Sequence, residues 1–376
     1  MRYLSSTIKQ DMKRKMIFIS GPRQVGKTTL SLSFIKPSTE KNPAYLNWDI
    51  PDHRKKILKN EIPLKNKTII FDEIHKYKNW RALMKGLFDG YHSSHSFLVT
   101  GSGHLDYFSK GGDSLTGRYF HYRLHPFTLL EMNKSPSAGD LKALLQFGGF
   151  PEPLFNQSVN YWKKWQNHRN HQVINEDLRD LEKVKEISLI HLLLESLPEK
   201  TGSPLSINSI SEDLQVSHQT IARWLKLLET LYVIFLIPPF GSSKIRAVKK
   251  EQKLYFWDWS QLDSPGFRFE NLVASHLLKY CHYHYDINGD KMELRYLRDT
   301  DKREVDFIAI KNKKPLFAVE CKAGETTLSP HIGYFKKRLQ IPACFQVHLM
   351  KKDFGDEKNK GRSLPFTTFC KEILKV

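Results

Sequence analysis

Lys27 and Thr28 stand directly behind the second of two spaced glycines, Gly21 and Gly26, in the run GPRQVGKTTL. Glycines at this spacing let the backbone take positive φ and turn successive amide N–H groups onto phosphate oxygens at the start of a helix. The pattern G-x-x-x-x-G-K-[ST] therefore predicts a phosphate cradle built from Gly21, Pro22, Arg23, Gln24, Val25, Gly26, Lys27, Thr28 and Thr29. Lys27 would meet the β- and γ-phosphates of ATP. The Thr28 hydroxyl would face Mg2+, an ion that keeps several waters and needs few protein ligands. An ordinary glycine turn is the competing reading. The buried-strand run Met16–Ile19 before the loop and the aliphatic segment after it favour the phosphate.

A phosphate-bound magnesium needs acids from a second strand, and KTIIFDEIHKYKNW provides them. The β-branched run Thr68–Phe71 delivers Asp72 and Glu73 at its carboxyl end, where ligands sit in an open α/β sheet. Asp72 is the candidate magnesium partner, through water. Glu73 is the candidate general base for the water that attacks the γ-phosphate. A third run, Phe97–Val99, leads into Thr100 and Ser102, hydroxyls suited to sensing that phosphate. Arg118 follows a glycine and precedes an alternating segment with Phe120, Tyr122 and Leu124. It is suited either to a structural ion pair or to a finger that stabilises transition-state charge in a neighbouring copy, which would make the chain a homo-oligomer.

A second constellation lies near the C-terminus, in RYLRDTDKREVDFIAIKNKKPLFAVECKAGE. The pattern predicts a hairpin turning at KNKKP, with Asp306 on its first strand and Glu320 and Lys322 sharing one face of its second. Glu270, at the opening of the amphipathic segment FENLVASHLLKY, supplies a further carboxylate. These residues resemble the PD-(D/E)xK nuclease core. The resemblance implies acids that bind a divalent metal, here Asp306 and Glu320, beside a lysine that positions water. The competing reading is an ion-paired remnant in which Lys322 balances the acids. In CHYHY, His282 and His284 would share a strand face beside Cys281, a packed strand rather than a metal site.

The elements that must position these residues belong to a globular chain of 376 residues, 40% hydrophobic, which suggests two or three domains. Lys and Arg outnumber Asp and Glu by 59 to 40, and a net charge of +19 favours a polyanionic partner, DNA above all. Four scattered cysteines indicate neither a disulfide framework nor a zinc cluster, and fit a reducing cytoplasm. No apolar run approaches a membrane span, and the first residues lack the apolar core of a signal peptide. Residues 205–240 read as helix-turn-helix: INSISEDL, a turn at Gln215-Val216, then a helix capped by Ser217. Ile221, Leu225 and Leu228 would face inward, leaving Gln219, Arg223 and Lys226 for DNA. The basic segment SSKIRAVKKEQK behind it suits a wing that touches phosphates.

Taken in order, GPRQVGKTTL, IIFDEIHK, LVTGS, LTGRYF, HPFTLLEM and GGFPEPLF resemble the prokaryotic AAA-type ATPases that join a P-loop domain to a C-terminal domain of uncharacterised function. The chain departs from that pattern at His75, where the family usually has glutamine, and at Gly103, near which it usually has asparagine or serine. The expected class is α/β: a P-loop parallel sheet over residues 1–130, a helical lid over 131–204, a winged-helix-like segment over 205–250, and an α/β nuclease-like domain over 251–376.

Overall fold

The computed structural model describes residues 2–101, 115–173, 178, 187–241, 251–324 and 327–375. These form two compact units, Met1–Pro126 with Thr230–Tyr232, and Phe127–Glu229 with Val233–Val376.

The first unit is built on five parallel strands: β1 (Met16–Ser20), β2 (Tyr45–Asn47), β3 (Thr68–Asp72), β4 (Ser96–Thr100) and β5 (Tyr119–Arg123). Their spatial order is β2-β3-β4-β1-β5. Inner strands of a parallel sheet are covered on both faces and so read as unbroken apolar runs. All five residues of β1 are buried, as are the last four of β3 and of β4. At the edge, β5 is covered less completely, with Phe120 exposed and Tyr122 buried. One face packs Phe18, Phe71, Phe97 and Val99 against Trp80, Met84 and Leu87 of the helix Trp80–Tyr91. Because β4 lies between β1 and β3, the loop after β1 and the acids after β3 stand two strand spacings apart, about 10 Å. Thr100 at the end of β4 is in register with both Ile19 and Asp72, and fills that gap.

In the second unit, the helices Leu129–Met132, Ala138–Phe147, Pro151–Asn156 and Val159–Gln172 follow one another. Ser137 and Asp140 form a capping box at the second of them, and Pro151 occupies the first turn of the third, where a missing N–H is harmless. The helices Ile207–Asp213 and His218–Thr230 are separated by a turn in which Gln215 has φ of 54°. Ser217 Oγ accepts from the Thr220 amide 3.1 Å away, and so caps the second helix. Ile221, Trp224, Leu225 and Leu228 are buried, while Gln219, Arg223 and Lys226 are exposed. A two-stranded antiparallel pair follows, β6 (Ile234–Ile237) with β7 (Lys253–Phe256). Residues 242–250, most of the basic wing expected from the sequence, lie outside the described residues, as does Ser102.

The unit closes on a mixed six-stranded sheet in the order β12-β13-β11-β10-β9-β8. Its strands are β8 (Met292–Arg298), β9 (Glu304–Lys311), β10 (Lys314–Lys322), β11 (Ala343–His348), β12 (Phe354–Asp356) and β13 (Gly361–Pro365). The hairpin β9/β10 turns at Asn312 and Lys313, both with φ above 50°. One expectation is corrected: CHYHY is not a strand. Residues 281–285 complete the 24-residue helix Pro265–Asn288, whose C-cap Gly289 has φ of 71°. Burial of Phe269, Leu272, Val273, Leu277 and Cys281 at helical intervals carries that register through the aromatics and overrides their strand preference. Glu270 accordingly lies in the helix's second turn rather than at its opening. No described helix is long and apolar enough to cross a membrane.

The phosphate loop is held by a close approach that only glycine permits. Gly21 has φ of 146°, and a Cβ there would lie 2.3 Å from the Leu124 carbonyl oxygen. A non-glycine residue in such a conformation costs on the order of 1–3 kcal/mol before the clash is counted. Gly21→Ala is therefore expected to lower the melting temperature and to abolish ATP binding. An unchanged melting curve would mean that the strand end at Leu124 yields.

Candidate functional site

The loop between β1 and the helix Lys27–Leu32 turns through Gln24, with φ of 63°, and Gly26, with φ of 96°. Lys27 is buried, and its ammonium donates to the Gly21 carbonyl at 3.0 Å and the Pro22 carbonyl at 2.8 Å. The chain start braces the loop: Arg2 donates to the Val25 carbonyl at 3.0 Å and to the His125 carbonyl, and the Tyr3 hydroxyl donates to the Arg123 carbonyl at 2.5 Å. Nothing in local spacing marks Arg2 or Tyr3 for this role.

Opposite the loop, Asp72 is buried and its carboxylate receives three hydroxyls. Thr28 donates to Oδ2 at 2.8 Å, Tyr45 donates to Oδ2 at 2.8 Å, and Thr100 donates to Oδ1 at 2.5 Å. Asn47 in turn donates to the Tyr45 hydroxyl at 3.1 Å. Burial, then the adjacent Asp72 charge, pushes the Tyr45 phenol far above its ordinary value, so it stays a donor. Hydrogen bonds to an ionised acceptor are the strong ones, and three of them fix both oxygens of Asp72.

Glu73 takes φ of 53°, which turns its side chain away from the run of β3, while its amide donates to the Thr100 carbonyl at 3.0 Å. Burial first, then the Asp72 charge, raises its carboxyl above the ordinary value; Lys27 and Lys76 pull the other way. Lys76 Nζ and His75 Nε2 each lie 3.6 Å from Glu73 Oε2. Arg118, by contrast, is held within its own chain: Nε and Nη2 reach the two oxygens of Asp89 at 2.7 and 3.1 Å. Of its two readings, this geometry is that of the structural ion pair.

The donor set suits magnesium and a triphosphate. Thr28 Oγ1 and the Asp72 carboxylate are hard oxygens 2.8 Å apart, the type that Mg2+ takes directly or through water. Lys27 is the cation of the loop, its ammonium held on the loop's own carbonyls.

The C-terminal acids converge differently from the expectation. Lys322 Nζ pairs with Glu320 at 2.8 Å, and Asp306 Oδ2 accepts the Cys321 amide at 2.8 Å. The centre of the cluster is Lys253, on β7, 1% exposed at its side chain. Its ammonium lies 2.5 Å from Glu304, 3.4 Å from Asp306 and 3.8 Å from Glu270. The Tyr255 hydroxyl donates to Glu270 at 2.7 Å. Burial and then the Asp306 charge raise Glu270 to about 8 and Glu320 to about 7. Among the described residues no three His, Cys, Asp or Glu side chains are grouped to hold a metal ion. Neither Lys253 nor Glu304 is prominent in the sequence.

Residues 13–133 match the family described as an AAA domain, and the parallel sheet of this segment has the P-loop order of that fold. Residues 138–263 and 265–369 match two families described as domains of unknown function, DUF8612 and DUF4143. A protein of Methanocaldococcus jannaschii called uncharacterized protein MJ1637 is 23% identical over 337 residues, 72% of this chain and 69% of that one. Among solved structures, the Aeropyrum pernix ORC1 protein in complex with DNA is 12% identical, with 73% of this chain and 93% of that chain covered and a TM-score of 0.34. The Thermotoga maritima RuvB Holliday junction branch migration motor is 16% identical, with 62% and 87% covered and a TM-score of 0.29. Likenesses this loose carry no functional statement.

Tyr45→Phe removes one charge-assisted bond to Asp72, a loss of about 1.5–3 kcal/mol in stability. It is expected to raise the magnesium concentration needed for half-maximal ATP turnover while leaving nucleotide affinity in EDTA unchanged. Equal magnesium dependence in the two proteins would show that Thr28 and Thr100 suffice to hold the carboxylate.

Proposed function

We propose that this chain is a magnesium-dependent ATPase that works on or together with DNA. The observation that carries the ATPase reading is the Asp72 carboxylate, tied by hydrogen bonds to the threonine that follows the loop lysine. In this reading the amides of residues 23–29 and the Lys27 ammonium hold the phosphates, and Thr28 and Asp72 hold Mg2+. The ion supplies charge neutralisation on the phosphate oxygens. Glu73 orients the attacking water and takes its proton, and Thr100 keeps Asp72 and the Glu73 amide in register across the strand gap.

The DNA reading is supported by charge and by the helix His218–Thr230. Its exposed Gln219 and Arg223 lie toward the N-terminal end, the part of a recognition helix that meets base edges. Lys226 is paired with Glu229 at 2.6 Å, an exposed contact worth little against a phosphate. The charge excess is uneven: residues 1–126 hold 22 of the 59 Lys and Arg but only 10 of the 40 Asp and Glu. More than half of the excess therefore lies in residues 1–126, outside the helix-turn-helix. A metal-dependent nuclease is the weaker alternative, because Lys253 already stands among the acids that would hold its metal.

The expected outcomes separate the two parts. Lys27→Ala should lose ATP binding. Glu73→Gln should bind ATP and hydrolyse it about 10²- to 10⁴-fold more slowly, the usual cost of removing a positioned base. Turnover of Glu73→Gln at the wild-type rate would remove Glu73 from that role. DNA affinity should fall with salt with a logarithmic slope of about −0.9 per contacted phosphate on duplex. It should weaken in Arg223→Ala with Lys226→Ala, and salt-independent binding would leave the charge as solubilisation alone.

A further inference from the structure

We infer that Lys253 is an internal counter-ion that takes the place of a divalent cation among the carboxylates of the second unit, which as they stand around it are not grouped to hold one. The second unit thus keeps its acids metal-free and does not cut phosphodiesters by metal-activated water.

Three observations combine. First, the ammonium is almost wholly enclosed and lies within 3.8 Å of Glu270, Glu304 and Asp306. Taking an ammonium out of water costs several kcal/mol, so it stays there only because carboxylates surround it. Divalent binding would have to displace that ammonium into an apolar surround or add two more positive charges beside it. Secondly, each acid already has a further partner. Asp306 accepts the Cys321 amide, Glu270 accepts Tyr255, Glu304 also pairs with Arg298 at 3.1 Å, and Glu320 pairs with Lys322.

Thirdly, the lysine is built in rather than draped over the site. Lys253 is paired within β7 to Ile237 of β6 and bridged to Pro204, and the Leu205 amide donates to the Gln252 carbonyl at 2.9 Å. The same segment closes over Glu270: a Cβ at Gly202 would lie 2.9 Å from its Oε1. The Lys253 backbone is fixed by these pairings and its side chain is 1% exposed, so the ammonium has no open path to solvent.

The test uses the full chain without nucleotide and reads Mn2+ by its solution electron paramagnetic resonance, which falls as the ion is bound. Wild type and Asp306→Asn should deplete free Mn2+ equally. Lys253→Met leaves the acids uncompensated. It should melt at lower temperature, recover stability when Mn2+ is added, and bind one further ion per chain that is lost in Lys253→Met with Asp306→Asn. Lys253→Arg, which keeps the charge, should behave as wild type. Mn2+ bound by the wild type and lost in Asp306→Asn would overturn the inference, as would a folded Lys253→Met that takes no extra ion. Should Lys253→Met fail to fold, the comparison of wild type with Asp306→Asn decides alone. DNA incubated with wild type and Mn2+ should stay intact, and cleavage that disappears in Asp306→Asn would overturn it equally.

Discussion

The first unit turns on a single carboxylate. Asp72 sits at the end of an inner strand, shielded from water, and would be an expensive charge to bury if its oxygens were left bare. Three hydroxyls from three different elements satisfy it, and each constrains a separate part of the sheet. Thr28 ties it to the phosphate loop, Thr100 spans the strand that intervenes, and Tyr45 anchors it to the sheet edge. Because the strand order puts β4 between β1 and β3, no direct backbone contact joins loop and acid. Side-chain hydrogen bonds make that connection, so loop position and carboxylate orientation are set together.

The second unit solves the opposite problem. Several carboxylates are brought close beside the β9/β10 hairpin, and burial first, then the Asp306 charge, raises Glu270 and Glu320. A buried lysine from another strand compensates them. A second buried pair serves a similar end away from the sheet: Lys279 Nζ lies 2.5 Å from Glu131 and 2.7 Å from the Thr128 hydroxyl, joining the segment HPFTLLEM to the long helix. Truncating one partner of such a pair strands a charge, which costs far more than the pair contributes.

What was legible in the sequence follows from how local the signal is. Gly21, Gly26, Lys27 and Thr28 form one uninterrupted motif, and Asp72 and Glu73 end a β-branched run, so both positions could be read directly. Tyr45 could not: it lies 27 residues before Asp72 on a three-residue strand with no motif of its own. Lys253 is 53 residues from Asp306, on a strand whose four buried residues otherwise read as core. The E-x-K spacing correctly suggested that Glu320 and Lys322 share a face, but it drew attention to the exposed lysine and away from the enclosed one. CHYHY failed for a different reason. Tyrosines favour strands in isolation, whereas a helix entered at Pro265 and closed at Gly289 carries them along.

The central claim is that Asp72 and the Lys27 loop form one magnesium–nucleotide site, and calorimetric titration of a slowly hydrolysed ATP analogue tests it most directly. In EDTA, wild type and Asp72→Asn should bind the analogue alike, through the loop amides and Lys27. Magnesium should tighten binding to the wild type and leave Asp72→Asn unchanged. Binding that responds equally to magnesium in both proteins, or no binding to the wild type at all, would contradict the account.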